Sequence, residues 1–141
     1  MDEQFLEATI SIRGVVCRPD ETVLTIRRVS DDGWELPGGR IRCRESVPDC
    51  LRRELTEETD LDATVHHPVE AVSWQNDAGS DRFAVYYYCT TDAEAVTLSE
   101  EHTEWAWVGE GTARERLSDP QATATARAVA ANTVATVLRE D

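Results

Sequence analysis

Three carboxylates, Glu54, Glu57 and Glu58, stand at i, i+3 and i+4 within a segment, residues 46–59, that reads as a helix. At 100° per residue, Val47, Cys50 and Leu51 define an inward stripe whose edge Leu55 continues. Glu54 follows Val47 by seven positions and Glu58 follows Leu51 by seven, so both fall on that stripe. Glu57 sits at its border, while Arg52 and Thr56 take the outer side. A surface helix places its acids on the far side from the core. Carboxylates turned inward repel one another and lose hydration, which is costly without a cation. A hard divalent ion such as Mg²⁺ or Mn²⁺ removes that cost by taking oxygen ligands. Because 28 of the 141 residues are acidic, an acidic cluster alone means little here. Its inward placement is what points to a metal.

Several elements must hold this helix in place. Residues 8–18 and 22–29, rich in Val, Ile and Thr, flank Pro19-Asp20-Glu21 and read as a hairpin. Asp31-Asp32-Gly33 forms a second turn, and Trp34-Glu35-Leu36 a short strand ending in Pro37-Gly38-Gly39. Ser46 is placed to cap the helix, with Asp49 three residues on and Pro48 in the first turn. Residues 64–75 and 82–91 read as strands around the turn 76–80, Trp105 to Val108 as another, and Gln121 to Arg139 as a closing helix. Strands mixed with two or three helices imply a mixed sheet covered on both faces, in one domain spanning residues 1–141.

Residues 39–61 resemble the signature of the Nudix hydrolases: Gly, five residues, Glu, seven residues, Arg-Glu, an aliphatic, any residue, Glu-Glu, any residue, Gly, an aliphatic. Gly39, Glu45, Arg53-Glu54, Leu55, Glu57-Glu58 and Leu61 are all in register, and only the last glycine departs, as Asp60. The preceding Trp34-Glu35-Leu36-Pro37-Gly38 is also typical of the family. The resemblance implies an α/β fold of the Nudix type, an α/β/α sandwich with a mixed β-sheet. It also implies hydrolysis of a nucleoside diphosphate linked to another group, with Mg²⁺ or Mn²⁺ as cofactor. Glu54, Glu57 and Glu58, with Gly39, are then the metal-holding positions, and one of the glutamates also serves as base. Arg53 orients a catalytic glutamate, Glu45 supports the loop, and Gly38 and Gly39 let the backbone come close. Such chemistry suits these residue types, since cations on phosphate oxygens acidify an attacking water and a nearby carboxylate removes its proton. Many members draw the base from a later loop, which makes Glu104, and after it Glu101, the candidates here. Asp60 tolerates the left-handed turn that follows such a helix better than most residues do, so an intact turn is expected.

Substrate contacts are expected outside the signature, at Trp34, Trp74, Asn76 and Tyr86, where an aromatic can stack on a base and Asn76 can bond its edge. A small nucleotide is expected as substrate, of the oxidised dNTP, ADP-ribose or dinucleoside polyphosphate class. The alternative is a Nudix-like module that binds a nucleotide as a sensor without cleaving it. A net charge of −14, with arginine as the only base, argues against a nucleic acid polymer as partner. It also suggests a salt-rich, halophilic setting, in which ions screen the self-repulsion. No stretch approaches the ~20 apolar residues that cross a bilayer, and a cytoplasmic protein, free of membrane partners and able to form a homodimer, is expected. The cysteines Cys17, Cys43, Cys50 and Cys89 show no zinc spacing and read as small core or strand residues. His66 and His67 are expected on opposite faces of a strand.

Overall fold

A computed structural model describes residues 3–140. Strands β1 (Thr9–Cys17) and β2 (Val23–Arg28) flank the expected turn, where Glu21 takes a positive φ of 67°. The hairpin forms only at its base, where Cys17 faces Val23, and the two strands then part. They part because each has other partners. β4 (Gly38–Arg40) occupies the edge of β1 from Ser11 to Arg13, and β6 (Asp81–Thr90) runs parallel to β1 along its other edge. β2 instead pairs with β3 (Trp34–Glu35) and with β7 (His102–Val108), while β5 (Thr64–Gln75) pairs antiparallel with β6. The result is one mixed sheet of seven strands, ordered β3-β2-β1-β6-β5 along its main path.

Alternation along β1 divides the core. Ile12 and Val16 pack with Cys50, Leu51 and Leu55 of helix α1 (Val47–Thr59), whereas Val15 and Cys17 pack with Ala124 and Ala128 of α3 (Gln121–Glu140). The helices therefore cover opposite faces, as the α/β/α sandwich requires. A short helix α2 (Glu110–Arg116), absent from the sequence-based expectation, adds Ala113 to the α3 side. Among the described residues no helix is long and apolar enough to cross a membrane.

The signature helix begins and ends as its residues dictate. The Ser46 hydroxyl accepts the Asp49 N–H at 3.3 Å, and Pro48 lies in the first turn. At the other end Asp60 adopts the left-handed conformation, φ 57° and ψ 26°, and its N–H donates to the Thr56 carbonyl. The turn is intact without glycine.

Two expectations need correction. Cys43 is exposed in the loop before α1, so only Cys17, Cys50 and Cys89 are core residues. His66 and His67 do not diverge, because the register slips between Val65 and His67 and brings both rings near Tyr88, at 4.8 and 5.5 Å between centroids.

Candidate active site

Arg53 is the hub of the α1 carboxylates. Its guanidinium grips Glu45 with two bonds of 2.7 and 2.9 Å, and donates to Glu54 at 2.8 Å and to Glu57 at 3.3 Å. The fork geometry suits arginine, whose donors are fixed in a plane. Those bonds hold the Glu45 carboxyl well below the usual carboxylate range, at about 2. Gly39 lies beneath Glu54, and a Cβ there would stand 2.6 Å from the carboxyl carbon. Gly38 is needed for a different reason. Its φ is +148°, and a Cβ would meet the Ile12 carbonyl oxygen of β1 at 2.2 Å.

Glu58 behaves otherwise. Its side chain is only 6% exposed, and its Oε2 has no hydrogen-bond partner. Burial pushes its carboxyl up to about 9; Arg13 pulls it down, while Glu35 and Glu54 add to the rise. An orphaned buried carboxylate oxygen is what a metal-binding position looks like without its ion, so these residues fit a divalent cation.

Two further residues join this group without having been expected in it. His102 Nε2 lies 2.7 Å from Glu35 Oε2 and 3.9 Å from Glu58 Oε2. Glu35 is also held by Arg28 at 3.1 Å and Arg13 at 3.4 Å. Burial would raise the Glu35 carboxyl, yet the His102 bond and the two guanidiniums together bring it below its ordinary value. Nothing in the spacing of residues 35, 58 and 102 announces this meeting. It arises because β3 and β7 both pair with β2, where Glu35 opposes Ile26 and His102 opposes Arg28.

A cleft of about 710 Å³ opens over Arg53, Glu54, Glu57 and Glu58, with Glu100 and Glu101 on its far wall. Glu101 thus faces the signature carboxylates. Glu104 is not among the residues lining the cleft; it is exposed on β7 and paired with Arg27 at 3.4 Å.

A second cleft, of about 300 Å³, brings together Trp74, Asn76 and Tyr86 beside Arg82, with Glu35 in its wall. Burial raises the Tyr86 hydroxyl to about 12. Trp34 does not line it. Its ring is covered instead by the Arg116 guanidinium of α2, 4.2 Å from the centroid.

Comparison with known proteins agrees with this geometry. The family model described as the NUDIX domain matches residues 8–129, and the chain belongs to that family. It is a hydrolase of phosphoanhydride bonds, from a family that generally uses divalent metals. A MutT-like protein of Streptomyces ambofaciens is 29% identical over 111 residues, covering 79% of this chain and 70% of that one. A putative 8-oxo-dGTP diphosphatase of Bacillus subtilis is 26% identical over 97 residues, covering 69% of this chain and 64% of that protein. Among solved structures, the MutT protein of Methanosarcina mazei superposes with a TM-score of 0.76 at 24% identity, covering 91% of this chain and 99% of that chain.

Proposed function

We propose that the cleft over α1 cleaves a nucleoside diphosphate linked to another group, with Glu54, Glu57, Glu58 and the Gly39 backbone holding Mg²⁺ or Mn²⁺. The observation that carries this reading is the inward Glu58 carboxylate, buried and with a free oxygen beside Glu54 and Glu57. Divalent ions, when bound, neutralise charge on the phosphates and acidify a water. Arg53 fixes the orientation of Glu54 and Glu57, and Glu45 fixes Arg53. Arg40 and Arg42 at the rim of the cleft supply charge for the phosphate chain. Either Glu57 or, across the cleft, Glu101 takes the proton from water; Glu104 would have to leave Arg27 to do so.

The nucleoside end belongs in the second cleft, where Trp74 is 38% exposed and offers a face for stacking next to Asn76 and Arg82. Glu35 lines this cleft and is bonded to His102 next to Glu58, so it links the two ends of a substrate. A compact nucleotide follows, of the oxidised dNTP, ADP-ribose or dinucleoside polyphosphate type. The activity for which the Bacillus subtilis relative is named supports the first of these.

The test is product analysis on a panel of these nucleotides with Mg²⁺ or Mn²⁺, using wild type and Glu57→Gln. Turnover that needs both the metal and Glu57 is expected. Folded protein without turnover on any substrate would overturn the enzyme reading in favour of a nucleotide sensor. We propose further that the protein works in a salt-rich cytoplasm, as one Nudix domain and as a homodimer. Its net charge of −14 supports the first point, and exposed Val134, Val137 and Leu138 on α3 support the last. Molar KCl should raise the melting temperature, and sedimentation should give twice the chain mass.

A further inference from the structure

Glu35, Glu58 and His102 meet in the interior beside the end of α1. Its three candidate ligand atoms all lie within 4.8 Å of one another, and all three residues are buried. The His102 side chain is 2% exposed and that of Glu58 6%. As a proton donor, Nε2 can serve one carboxylate, and it serves Glu35 at 2.7 Å. Glu58 Oε2, at 3.9 Å, is beyond hydrogen-bond range and is left with nothing. Arg13 and Arg28 form ion pairs with Glu35 and none with Glu58. Two buried carboxylates and one imidazole therefore share a space where a single proton satisfies only two of the three.

The site is also built to stay in place. The loop leading into β7 is tied to the end of α1, with Ser99 N–H on the Glu58 carbonyl at 3.2 Å and Thr97 N–H on the Thr59 carbonyl at 3.1 Å. Glu35 and His102 are fixed on two strands that share β2. A cation bonded at about 2–2.2 Å bridges atoms up to about 4.3 Å apart, so closure by roughly half an ångström brings all three onto one ion.

We propose that Glu35, Glu58 and His102 form a buried metal position with one nitrogen ligand, which selects Mn²⁺ over Mg²⁺. The inference rests on the reading that the α1 carboxylates bind divalent ions, and adds Glu35 and His102 to them. The selectivity follows from ligand type. An imidazole nitrogen suits a first-row transition ion, whereas Mg²⁺ prefers oxygen alone and keeps much of its water.

The test uses the full chain, stripped of metal and titrated with Mn²⁺ under electron paramagnetic resonance. Pulsed spectra of the bound ion should show coupling to nitrogen that changes when histidine is labelled with ¹⁵N. His66→Gln/His67→Gln should keep the coupling and His102→Asn should abolish it, with about tenfold or greater loss of affinity for that ion. Millimolar Mg²⁺ should leave this Mn²⁺ in place. Bound Mn²⁺ without histidine coupling in wild type would overturn the inference while leaving the carboxylate reading standing. No bound Mn²⁺ at all would overturn both. The isotope experiment needs no variant, so a folding defect in His102→Asn cannot obscure the answer.

Discussion

Asn132 on α3 and Glu58 on α1 are both buried polar residues facing the sheet, one from each side. Asn132 is fully employed. Its Oδ1 accepts the Tyr88 hydroxyl at 2.8 Å and its amide donates to the Arg18 carbonyl at 3.2 Å. Glu58 is buried to a similar degree and keeps an oxygen with no partner. The first joins helix to sheet and is there for stability. The second carries a cost that a proton lessens and that the proposed metal ion would remove, a contrast expected between functional and structural positions at equal burial.

That contrast predicts opposite responses to substitution. Glu58→Gln should lower kcat/KM by about 10²–10³-fold, the scale of losing one preorganised electrostatic group. In metal-free protein near neutral pH the same change should raise stability by about 1–3 kcal/mol, since it removes a carboxyl that burial keeps protonated up to about 9 and the unfolded chain ionises freely, and it keeps the shape. Steady-state kinetics checks the first half and denaturant unfolding of metal-free protein the second, where a loss of stability would break the comparison. Asn132→Ala should do the reverse. It strands the Tyr88 hydroxyl and leaves the Arg18 carbonyl with the Glu21 N–H alone, costing about 1–3 kcal/mol, while kcat/KM measured well below the melting temperature stays within about twofold.

Glu45 sharpens the contrast within α1's own surroundings. Arg53 holds its carboxyl at about 2, below its ordinary 4.5, so the stability it contributes is complete above about pH 4.5 and is lost as pH falls toward 2. The stability gap between wild type and Glu45→Gln should therefore be widest near neutrality and close in acid, as followed by urea melts across that range. Asp60→Gly should have the smallest effect. Releasing a side chain from the left-handed region should add about 0.5 kcal/mol without changing turnover.

How much of this was legible in the chain depends on whether a feature is local. α1 announced itself through Ser46, Pro48 and its inward stripe, and the signature residues from Gly39 to Leu61 are close enough in sequence for their spacing to be read. The strands on either side of residues 76–80 were legible for the same reason. α2 was not, because seven residues with glycines at 109 and 111 and one buried side chain carry no periodicity to detect. The parting of β1 and β2 was hidden as well, since it depends on β4 and β6 taking the edges of β1. His102 and Glu35 lie 67 positions apart and meet only through strand pairing, so their partnership has no signature in the sequence. The second cleft shows the middle case. Trp74, Asn76 and Tyr86 were picked for their chemistry and meet in space, while Trp34, picked on the same grounds, is taken up by Arg116.

The uneven burial of the four thiols has a practical consequence. Cys17 and Cys89 are pushed up to about 12 and Cys50 to about 11, mainly by burial, whereas Cys43 stands in solvent next to Arg42 at the rim of the main cleft. At neutral pH a thiol-directed dye or spin label should therefore attach at one address, without any cysteine having to be removed. The natural chain carries its own reporter position at the mouth of the site.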